Sequence, residues 1–406
     1  MPDFDLIIIG AGPAGSATAL HAGRNGLRVL LIDARTFPRD KVCSDALSAA
    51  VIAHVRELGL EDRLLDLDHV PVSQIGFHAP DGSSVTVPVL KIDSASRAAS
   101  MICHRVLFDE MLFLAAKELE NVTVRHWCRA VDVLTEGGRA CGIVVDSGAG
   151  RMETLTATLL IGADGANSFL SRRMGLPRYS EYRVIAAQAY YSQVIGLRSH
   201  IEIHFPEAVL PGYVWVHPTR SSLANVGLAL PLRACLDKRL HVKRALEEAL
   251  EAPSLKERFA FAQRYGGTKV RLLPVGNPLR EVHGEGFLLV GDAAGLATPC
   301  SIEGVANALI SAHIAAEVAA EACRTGEAGA DALLSYPGRL WRALGPGLEL
   351  SGRLLSLRTP KSIGSLIRSA ARRPHNAGWL SGVLIGSALP SEELNDLFSY
   401  LNFFRR

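Results

Sequence analysis

The fold of this chain is decided by a stretch near its start, Asp5-Leu6-Ile7-Ile8-Ile9-Gly10-Ala11-Gly12-Pro13-Ala14-Gly15. The apolar run is typical of a buried parallel strand, and the small residues from Ser16 to Gly23 predict a helix packed closely against it. In such a unit Gly10 permits a tight turn, Gly12 lets a pyrophosphate approach the backbone, and Gly15 lets the helix and the strand touch. The stretch therefore predicts a phosphate-binding strand–helix unit.

A second apolar strand supports a dinucleotide site. Arg28-Val29-Leu30-Leu31-Ile32 ends at Asp33, where this fingerprint places a carboxylate for an adenosine ribose. The positive end of the helix dipole would face the phosphates, so the first residues of the helix belong to the site as well. The residues assigned on this basis, besides the glycines, are Pro13, Ala14, Asp33, Ala34 and Arg35.

Two later strands also end in an aspartate. Leu159–Gly162 leads into Asp164, and Gly286–Val290 leads into Gly291 and Asp292. Ligands of parallel sheets bind at the carboxyl ends of the strands, so we expect these ends to be neighbours. The sequence predicts an α/β (α+β) fold. It combines a Rossmann-like dinucleotide-binding domain, an inserted antiparallel-sheet substrate domain and C-terminal helices.

The chain divides into three predicted regions. Residues 1–70, 100–178 and 271–330 form the discontinuous dinucleotide-binding domain, residues 71–99 and 179–270 form the substrate-binding domain, and residues 331–406 form a helical region. The secondary structure expected within them is a hairpin over Val72–Ala79 and Ser83–Val89, a meander ending with Thr154–Thr158, a helix over Leu236–Phe261, a helix from about Glu303 to Cys323, and helices broken by prolines from Asp331 onward.

Composition excludes several classes of protein. The 406 residues carry a formal net charge of only +2, which offers no case for nucleic acid. The seven cysteines are scattered and lack CxxC spacing, so we expect neither disulfides nor a metal site. The apolar stretch Ala306–Cys323 is interrupted by His313, Glu317 and Glu321, so we do not expect it to span a membrane. The first strand begins within a few residues of Met1, so we expect no cleavable signal peptide. We expect a cytoplasmic protein, with peripheral membrane contact left open.

Three separated motifs resemble the p-hydroxybenzoate hydroxylase superfamily over most of the chain. Gly162–Ser168 resembles the DG motif, and Gly286–Pro299 resembles the GD motif, whose aspartate accepts hydrogen bonds from the ribityl chain of FAD. Arg105–Leu112 resembles the helix start whose arginine lies beside the flavin. The resemblance implies non-covalent FAD, with Arg105, Asp164 and Asp292 among its contacts.

Two stretches narrow the resemblance to geranylgeranyl reductases. Asp40–Ser48 is similar to their K-x-C-G-[DEG] segment, and Pro211–Pro218 is similar to their P-x-G-Y-x-W-x-F-P motif, which lines the substrate cavity. The period of a strand puts Tyr213, Trp215 and His217 on one face, which suits a long apolar substrate; a plain core-facing aromatic strand is the alternative. The residues assigned through this resemblance are Cys43, Tyr213 and Trp215 as catalytic, and Cys43, Ser44, Ala130, Gly291, Ile302 and Gly304 at the cofactor.

The chain departs from this pattern at three positions. Ser44 and Ile302 stand where the family carries glycine, and His217 stands for phenylalanine. Ile302 would narrow the cavity beside the flavin ring, which keeps the flavin-dependent halogenases, a related class, as an alternative. For Cys43 two roles stay open: gating the cavity or assisting proton delivery, and simple packing of a small side chain.

The C-terminal region is basic. Between Pro337 and His375 the only acid is Glu349. These helices present either a solvated basic face or a surface for an anionic partner such as a prenyl diphosphate, phospholipid headgroups or an acidic carrier protein. The basic residues are Arg339, Arg342, Arg353, Arg358, Lys361, Arg368, Arg372 and Arg373.

The resemblance implies an FAD-dependent reductase that saturates carbon–carbon double bonds in an isoprenoid or similarly apolar substrate. The alternatives are a monooxygenase or halogenase of a tailoring pathway and, in a different class, a non-enzymatic prenyl-binding protein. Asp33, Arg105 and Asp292 argue against the last, since a lipid binder needs no flavin contacts. The sequence has no second GxGxxG, so electrons would come from transiently bound NAD(P)H, ferredoxin or a partner reductase.

Overall fold

The structure is a computed structural model that describes residues 1–89, 97–148, 150–177, 182–219, 222–276, 280–356 and 358–372. The strands are β1 (Phe4–Ile9), β2 (Val29–Ile32), β3 (Ala46–Leu47), β4 (His69–Val72), β5 (Gln74–His78), β6 (Ser84–Pro88), β7 (Ser100–Cys103), β8 (Val122–Arg125), β9 (Arg129–Glu136), β10 (Arg139–Asp146), β11 (Met152–Gly162), β12 (Arg183–Ser192), β13 (Ile201–His204), β14 (Tyr213–Pro218), β15 (Ala224–Pro231), β16 (Gln263–Pro274), β17 (His283–Gly284) and β18 (Phe287–Leu289). The helices are α1 (Pro13–Arg24), α2 (Ala49–Glu57), α3 (Glu61–Asp66), α4 (Arg105–Lys117), α5 (Phe169–Arg173), α6 (Leu232–Asp237), α7 (Val242–Leu250), α8 (Lys256–Phe259), α9 (Val305–Thr325), α10 (Ser335–Ser356) and α11 (Pro360–Arg372).

The main sheet has the strand order β17-β18-β11-β1-β2-β8, and the strands from β18 to β8 are parallel. Ile8 of β1 lies between Ile161 of β11 and Leu31 of β2, and all three side chains are buried. β18 is the next neighbour of β11. The prediction that the strand ends at Gly10, Asp164 and Asp292 are neighbours is therefore confirmed.

Strand β11 belongs to both the antiparallel meander and the parallel sheet, whereas the sequence predicts a separate strand for each. Its first half pairs with β10 in the antiparallel meander, from Met152 to Thr156. Its second half pairs with β1 in the parallel sheet, from Ala157 to Gly162. The separation predicted after Thr158 is wrong, because neither glycine nor proline interrupts the strand there.

Helix α1 lies unusually close to the sheet. A Cβ atom at Gly15 would lie 1.8 Å from the Gly10 carbonyl oxygen, so only glycine permits this approach. Gly10 itself has φ +102, a conformation that favours glycine. Helices α4 and α9 pack against α1, and alanines on α9 keep that contact tight. The helix starts at Pro13, three residues before the predicted start.

A second sheet covers the main one. Its seven strands have the order β16-β12-β15-β14-β13-β5-β6, and all pairs are antiparallel except β13 with β5. One face packs on α6 and α7, while the other faces the main sheet and α11. The predicted hairpin is confirmed as β5 and β6. A small third sheet has the strand order β3-β7-β4.

Two helix predictions are wrong. The single helix expected over Leu236–Phe261 is three helices, α6, α7 and α8, because Arg239 has φ +53 and Pro253 disfavours helix in the residue before it. In the C-terminal region α10 continues through Pro346, which lies on the exposed side of the helix where a released carbonyl faces solvent.

Residues beyond 372, Arg373 and His375 among them, lie outside the described part of the chain.

None of the helices in the described residues combines the length and the apolar run that crossing a bilayer requires. The domain boundaries given above stay a prediction.

Candidate active site

A cavity of about 460 Å³ lies between the carboxyl edge of the main sheet and the inner face of the second sheet. Two of the residues assigned from the sequence, Gly15 and Gly291, lie behind its wall, where they let α1 pack closely; a Cβ atom at Gly291 would lie 2.9 Å from the Ala14 Cβ. The assigned residues that line the cavity are Gly10, Gly12, Pro13, Ala14, Asp33, Ala34, Arg35, Cys43, Ser44, Arg105, Ala130, Asp164, Tyr213, Trp215, Asp292, Ile302 and Gly304.

One end of the cavity is suited to phosphate. Helix α1 begins there after Gly12, where a Cβ atom would meet only the tip of the Arg39 side chain, at 3.1 Å. The Arg39 Nε is buried and has no hydrogen-bond partner among the described residues. The buried Oδ1 of Asp164, in the same wall, likewise lacks one. A helix N-terminus, open backbone and a guanidinium whose Nε makes no hydrogen bond within the described part of the chain fit the pyrophosphate of a dinucleotide.

Asp33 holds the adjoining turn. Its Oδ2 accepts a hydrogen bond of 2.9 Å from the Ala11 N–H, and its Oδ1 accepts one of 2.9 Å from the Arg35 N–H. The Arg39 Nε is 3.6 Å from Oδ2. Each carboxylate oxygen can accept a second hydrogen bond, so Asp33 can accept from these backbone N–H groups and from a ribose hydroxyl at the same time.

Arg105 is fixed in the wall by a buried carboxylate. Its Nε and Nη2 donate to the two oxygens of Asp109, one helical turn later, at 2.7 and 2.9 Å. Both side chains are almost fully buried. The Cys43 side chain lies beside this guanidinium. A paired, immobile arginine can orient a ligand without leaving an uncompensated charge in the wall.

Asp292 is held as a carboxylate. Burial would raise its pKa, but the ammonium of Lys41, 2.9 Å from Oδ2, together with the guanidinium groups of Arg105 and Arg271, outweighs burial and leaves the pKa below its usual value. Gly304 brings the start of α9 next to this group, since a Cβ atom there would lie 3.2 Å from Asp292 Oδ1. An ionised carboxylate only accepts hydrogen bonds, which suits the hydroxyl groups of a ribityl chain.

A buried network positions the segment that carries Cys43 and Ser44. Asp45 Oδ2 accepts hydrogen bonds from the Tyr190 hydroxyl and the Asn225 amide, both at 2.7 Å. The Asn225 amide also donates to the Cys43 carbonyl at 2.9 Å, and its oxygen accepts from Trp215 Nε1 at 2.9 Å. Sequence reasoning quoted Asp45 only as part of a motif and missed Tyr190 and Asn225, which no local signal marks.

The aromatic face of β14 lines the cavity. The Tyr213 hydroxyl donates to the Ser301 carbonyl at 2.7 Å, and the Trp215 ring covers Gly227, where a Cβ atom would lie 2.0 Å from Cζ2. Burial lowers the pKa of His217 to about 4, so this imidazole is neutral, and its Nδ1 lies 2.8 Å from the Ser44 carbonyl as a donor. A neutral ring can therefore occupy the place of the family's phenylalanine.

A smaller cavity of about 100 Å³ adjoins the first and shares Tyr213, Trp215 and Ile302 with it. Ile302 has φ +59, a left-handed conformation that favours the glycine found there in the family. Most of the remaining wall is apolar. The aliphatic and aromatic residues that complete it include Ile75, Phe77, Ile201 and Ile203.

Glu303 is the acid in the wall of the smaller cavity. Burial raises its pKa to about 7, although the Ser48 hydroxyl donates to Oε1 and lowers it. Its Oε2 is buried and has no hydrogen-bond partner in the described residues. Glu303 can therefore hold a proton near neutral pH. Sequence reasoning treated this residue only as the start of a helix, because its burial comes from distant strands.

Arg358 is buried, although the sequence predicts it on the basic face of the C-terminal region. Only 7% of this residue is exposed, so the prediction for Arg358 is wrong. Its guanidinium donates to the carbonyls of Cys300 and Pro211 at 3.0 and 3.2 Å, and it lies over the Tyr213 ring. Three other members form ion pairs that reduce the free positive charge of this surface. These pairs are Arg339 with Glu317, Arg353 with Glu349 and Arg368 with Asp81.

Comparison with known proteins also indicates an FAD-binding protein. Residues 3–339 match the family described as FAD binding domain. The chain is 30% identical to a menaquinone reductase of Mycolicibacterium smegmatis over 369 residues, 87% of this chain and 84% of that protein. It is also 30% identical to digeranylgeranylglycerophospholipid reductase 1 of Methanopyrus kandleri over 353 residues, 83% of this chain and 86% of that protein.

Solved structures share the fold. A geranylgeranyl bacteriochlorophyll reductase-like protein of Thermoplasma acidophilum superposes with a TM-score of 0.82 at 22% identity, over 97% of this chain and 99% of that one. A flavin-dependent brominase superposes with a TM-score of 0.80 at 21% identity, over 98% and 99%. The cavity and the family match agree, and the chain belongs to the FAD-binding-domain family and, within it, to the geranylgeranyl reductase family of FAD-dependent oxidoreductases.

Proposed function

We propose that this protein reduces carbon–carbon double bonds in the isoprenoid chain of a lipid. The observation that carries the proposal is Glu303, a carboxyl group with a pKa of about 7 in the wall of an apolar cavity that adjoins the cofactor site. The relatives are named for menaquinone and for digeranylgeranylglycerophospholipid, and both of these molecules carry isoprenoid chains.

The residues that would hold FAD are those of the larger cavity. The start of α1 and Arg39 would face the pyrophosphate, Asp33 would accept from the ribose, and Asp292 would accept from the ribityl hydroxyls. Bound and reduced, the flavin supplies a hydride to the substrate.

Glu303 would supply the matching proton. Saturating a double bond breaks its π bond and forms two C–H bonds, so one carbon needs a hydride and the other needs a proton. The unpartnered Oε2 of Glu303 can hold that proton, and the carboxylate left behind is reprotonated from solvent between turnovers. Ser48 keeps the other oxygen in place through its hydrogen bond.

The walls would orient the alkene. Tyr213 and Trp215 line both cavities, and their ring centroids are 6.2 Å apart. Ile203 and Phe77 extend the apolar surface in the smaller cavity. Such a surface binds a hydrocarbon chain and keeps water away from the reacting carbons.

The electron donor and the partners belong to this proposal as well. A single GxGxxG favours NAD(P)H bound transiently or a reduced carrier protein as the donor. A lipid substrate favours peripheral contact of a cytoplasmic enzyme with the membrane, and the exposed basic residues Arg342, Lys361 and Arg372 favour an anionic headgroup or an acidic carrier protein there.

The test is to reduce the FAD-loaded protein without oxygen and then add a lipid that carries a geranylgeranyl chain and no quinone ring. We expect the flavin absorbance to return under argon, and the lipid mass to rise by two hydrogens for each bond reduced. Asp292→Ala protein, which we expect to bind FAD more weakly and so to show less of this reoxidation, is the control. Reoxidation that requires oxygen, with a product that has gained oxygen or a halogen, would refute the reductase assignment and support a monooxygenase or halogenase.

A further inference from the structure

Strands β5 and β13 carry a cluster of histidines that the flavin site does not use. The two strands are parallel neighbours, with His78 opposite His204 and Gly76 opposite Glu202. Their alternate residues, Ile75, Phe77, Ile201 and Ile203, line the smaller cavity. Because successive side chains of a strand point to opposite faces, the other face of the sheet carries a second set of residues. This set is His78, Glu202, His204 and the adjoining His200.

The donor atoms in this cluster converge. Glu202 Oε2 is 3.2 Å from His204 Nε2 and 3.9 Å from His78 Nε2, and the donor atoms of these three residues all lie within 4.8 Å of one another. Glu202 Oε1 is 3.5 Å from His200 Nε2. Ligands about 2.1 Å from a tetrahedral Zn²⁺ are separated by roughly 3.4 Å. These distances are close to those of a metal-binding set. The rings of His78 and His204 stack in parallel with centroids 4.2 Å apart, so an ion bound by both Nε2 atoms would turn these rings towards each other.

Gly76 leaves room at the centre of the cluster. A Cβ atom there would lie 3.2 Å from His78 Nε2, and 3.8 to 3.9 Å from the side chains of Glu202 and His200. Three potential ligands thus surround the one position on β5 that has no side chain. His78 and His200 are partly exposed, which gives an ion a route from solvent.

Two outer contacts shape the site. The Nδ1 of His204 is 3.3 Å from the Ser254 hydroxyl, an arrangement that orients a ligating histidine. A metal at Nε2 would replace the hydrogen bond of 3.2 Å that Nε2 makes with Glu202 Oε2. Arg258 donates to both oxygens of Glu202 and offsets its charge. The donor set is therefore mainly imidazole, which favours Zn²⁺, Ni²⁺ or Cu²⁺ over Mg²⁺ and Ca²⁺, which prefer oxygen ligands.

We propose that His78, Glu202 and His204, with His200 as the fourth ligand, bind a divalent transition metal of the Zn²⁺ class. Four protein ligands are typical of a closed, structural site. The metal would join β5 to β13 and so fasten the β5–β6 hairpin, which pairs with the second sheet only through β13 in the described strands. The Phe77 and Ile75 wall of the smaller cavity lies on that hairpin strand.

The test uses the full chain loaded with FAD, treated with a chelator and titrated with Zn²⁺ by calorimetry. We expect one Zn²⁺ per chain, a higher melting temperature with Zn²⁺ than without it, and no response to Mg²⁺. His78→Gln should weaken Zn²⁺ binding by more than about tenfold while FAD content stays the same. His54→Gln, which alters a histidine 2.9 Å from Glu57 elsewhere, should bind Zn²⁺ like the wild type.

Hydrogen exchange then tests the structural role. Zn²⁺ should slow exchange of the backbone amides of residues 74–88 in the wild type and not in His78→Gln. If His78→Gln does not retain FAD, His200→Asn at the rim of the cluster is used in its place. The proposal is overturned if the wild type binds no Zn²⁺, or if the ligand variants bind it as tightly as the wild type does. Because every readout is independent of turnover, failure here leaves the reductase assignment untouched.

Discussion

Two buried carboxyl groups in the active site have opposite properties because of their neighbours. Asp292 lies beside the Lys41 ammonium, and this charge keeps its pKa low despite burial. Glu303 has no cation hydrogen-bonded to it among the described residues, and burial raises its pKa to about 7. At the scale of the residue, Asp292 can therefore accept hydrogen bonds from hydroxyl groups, while Glu303 can hold a proton.

Asp292→Ala should weaken FAD binding. Charge-assisted hydrogen bonds to the ribityl hydroxyls are lost, each contributing about 1.5–3 kcal/mol, which corresponds to roughly a 10- to 150-fold higher Kd. Titration of apoprotein with FAD, followed by flavin fluorescence, measures this change. Asp237→Ala, which removes a surface carboxylate paired with Arg233, is the matched control. An Asp292→Ala protein with wild-type affinity would contradict the assignment.

Glu303→Gln should lower kcat by about 10²–10⁴-fold while FAD content stays unchanged, because a positioned proton donor is lost. The protonated form of Glu303 is the active one, so wild-type activity should be full below the pKa of about 7 and fall as the pH rises through it. In the variant this falling limb should disappear. A wild-type rate that does not change across neutral pH would argue against Glu303 as the donor.

At the scale of the element, two glycines of the first strand–helix unit have different roles. A side chain at Gly12 would enter the cavity and meet only the end of Arg39, whereas a side chain at Gly15 would collide with the Gly10 carbonyl. Gly12→Val should therefore abolish FAD binding and leave the far-ultraviolet circular dichroism unchanged, while Gly15→Val should impair folding itself. Normal flavin content in folded Gly12→Val protein would exclude the phosphate-binding role of this turn.

Strand β14 presents its aromatic face to both cavities, so Trp215→Ala should weaken substrate binding. The loss of a large buried ring should cost about 2–4 kcal/mol, seen as a KM increase, while FAD remains bound through other elements. Trp127→Ala, at an exposed position, should leave KM unchanged. Unaltered turnover and KM in Trp215→Ala would remove the substrate role of this strand.

At the scale of the whole molecule, Arg358 joins three distant parts of the chain. It precedes α11, donates to Cys300 near the cofactor and to Pro211 before β14, and lies over the rings of Phe205 and Tyr213. The apolar side of α11, with Ile363 and Ile367, packs into the core beside the second sheet. Arg358 thus joins the wall of the smaller cavity to the C-terminal helix, which packs on the second sheet.

Arg358→Ala should lower the free energy of unfolding by about 1.5–3 kcal/mol, since charged hydrogen bonds to two carbonyls are lost. A lower urea midpoint with an unchanged m-value would show this. Arg372→Ala, on the exposed side of α11, should leave the midpoint where it is. Equal midpoints for the two variants would mean that Arg358 does not join these parts.

The sequence by itself determined the features that depend on a few consecutive residues. The glycine turn from Gly10 to Gly15, the strand ends at Asp33, Asp164 and Asp292, and the aromatic face of β14 all follow from local conformational preference and from the period of a strand. These features suffice to predict the fold and the location of the flavin site.

Only the tertiary structure decided the properties that need distant residues. Strands β5, β13 and β14 line the cavity in which Glu303 can hold a proton. Asp45 is buried in a hydrogen bond with Asn225, which is far from it in the sequence. Arg358, expected on a basic surface, donates hydrogen bonds inside the core. The histidine cluster unites residues more than a hundred positions apart. Protonation and burial depend on the dielectric and the charges around a group, and these exist only once the whole chain has folded.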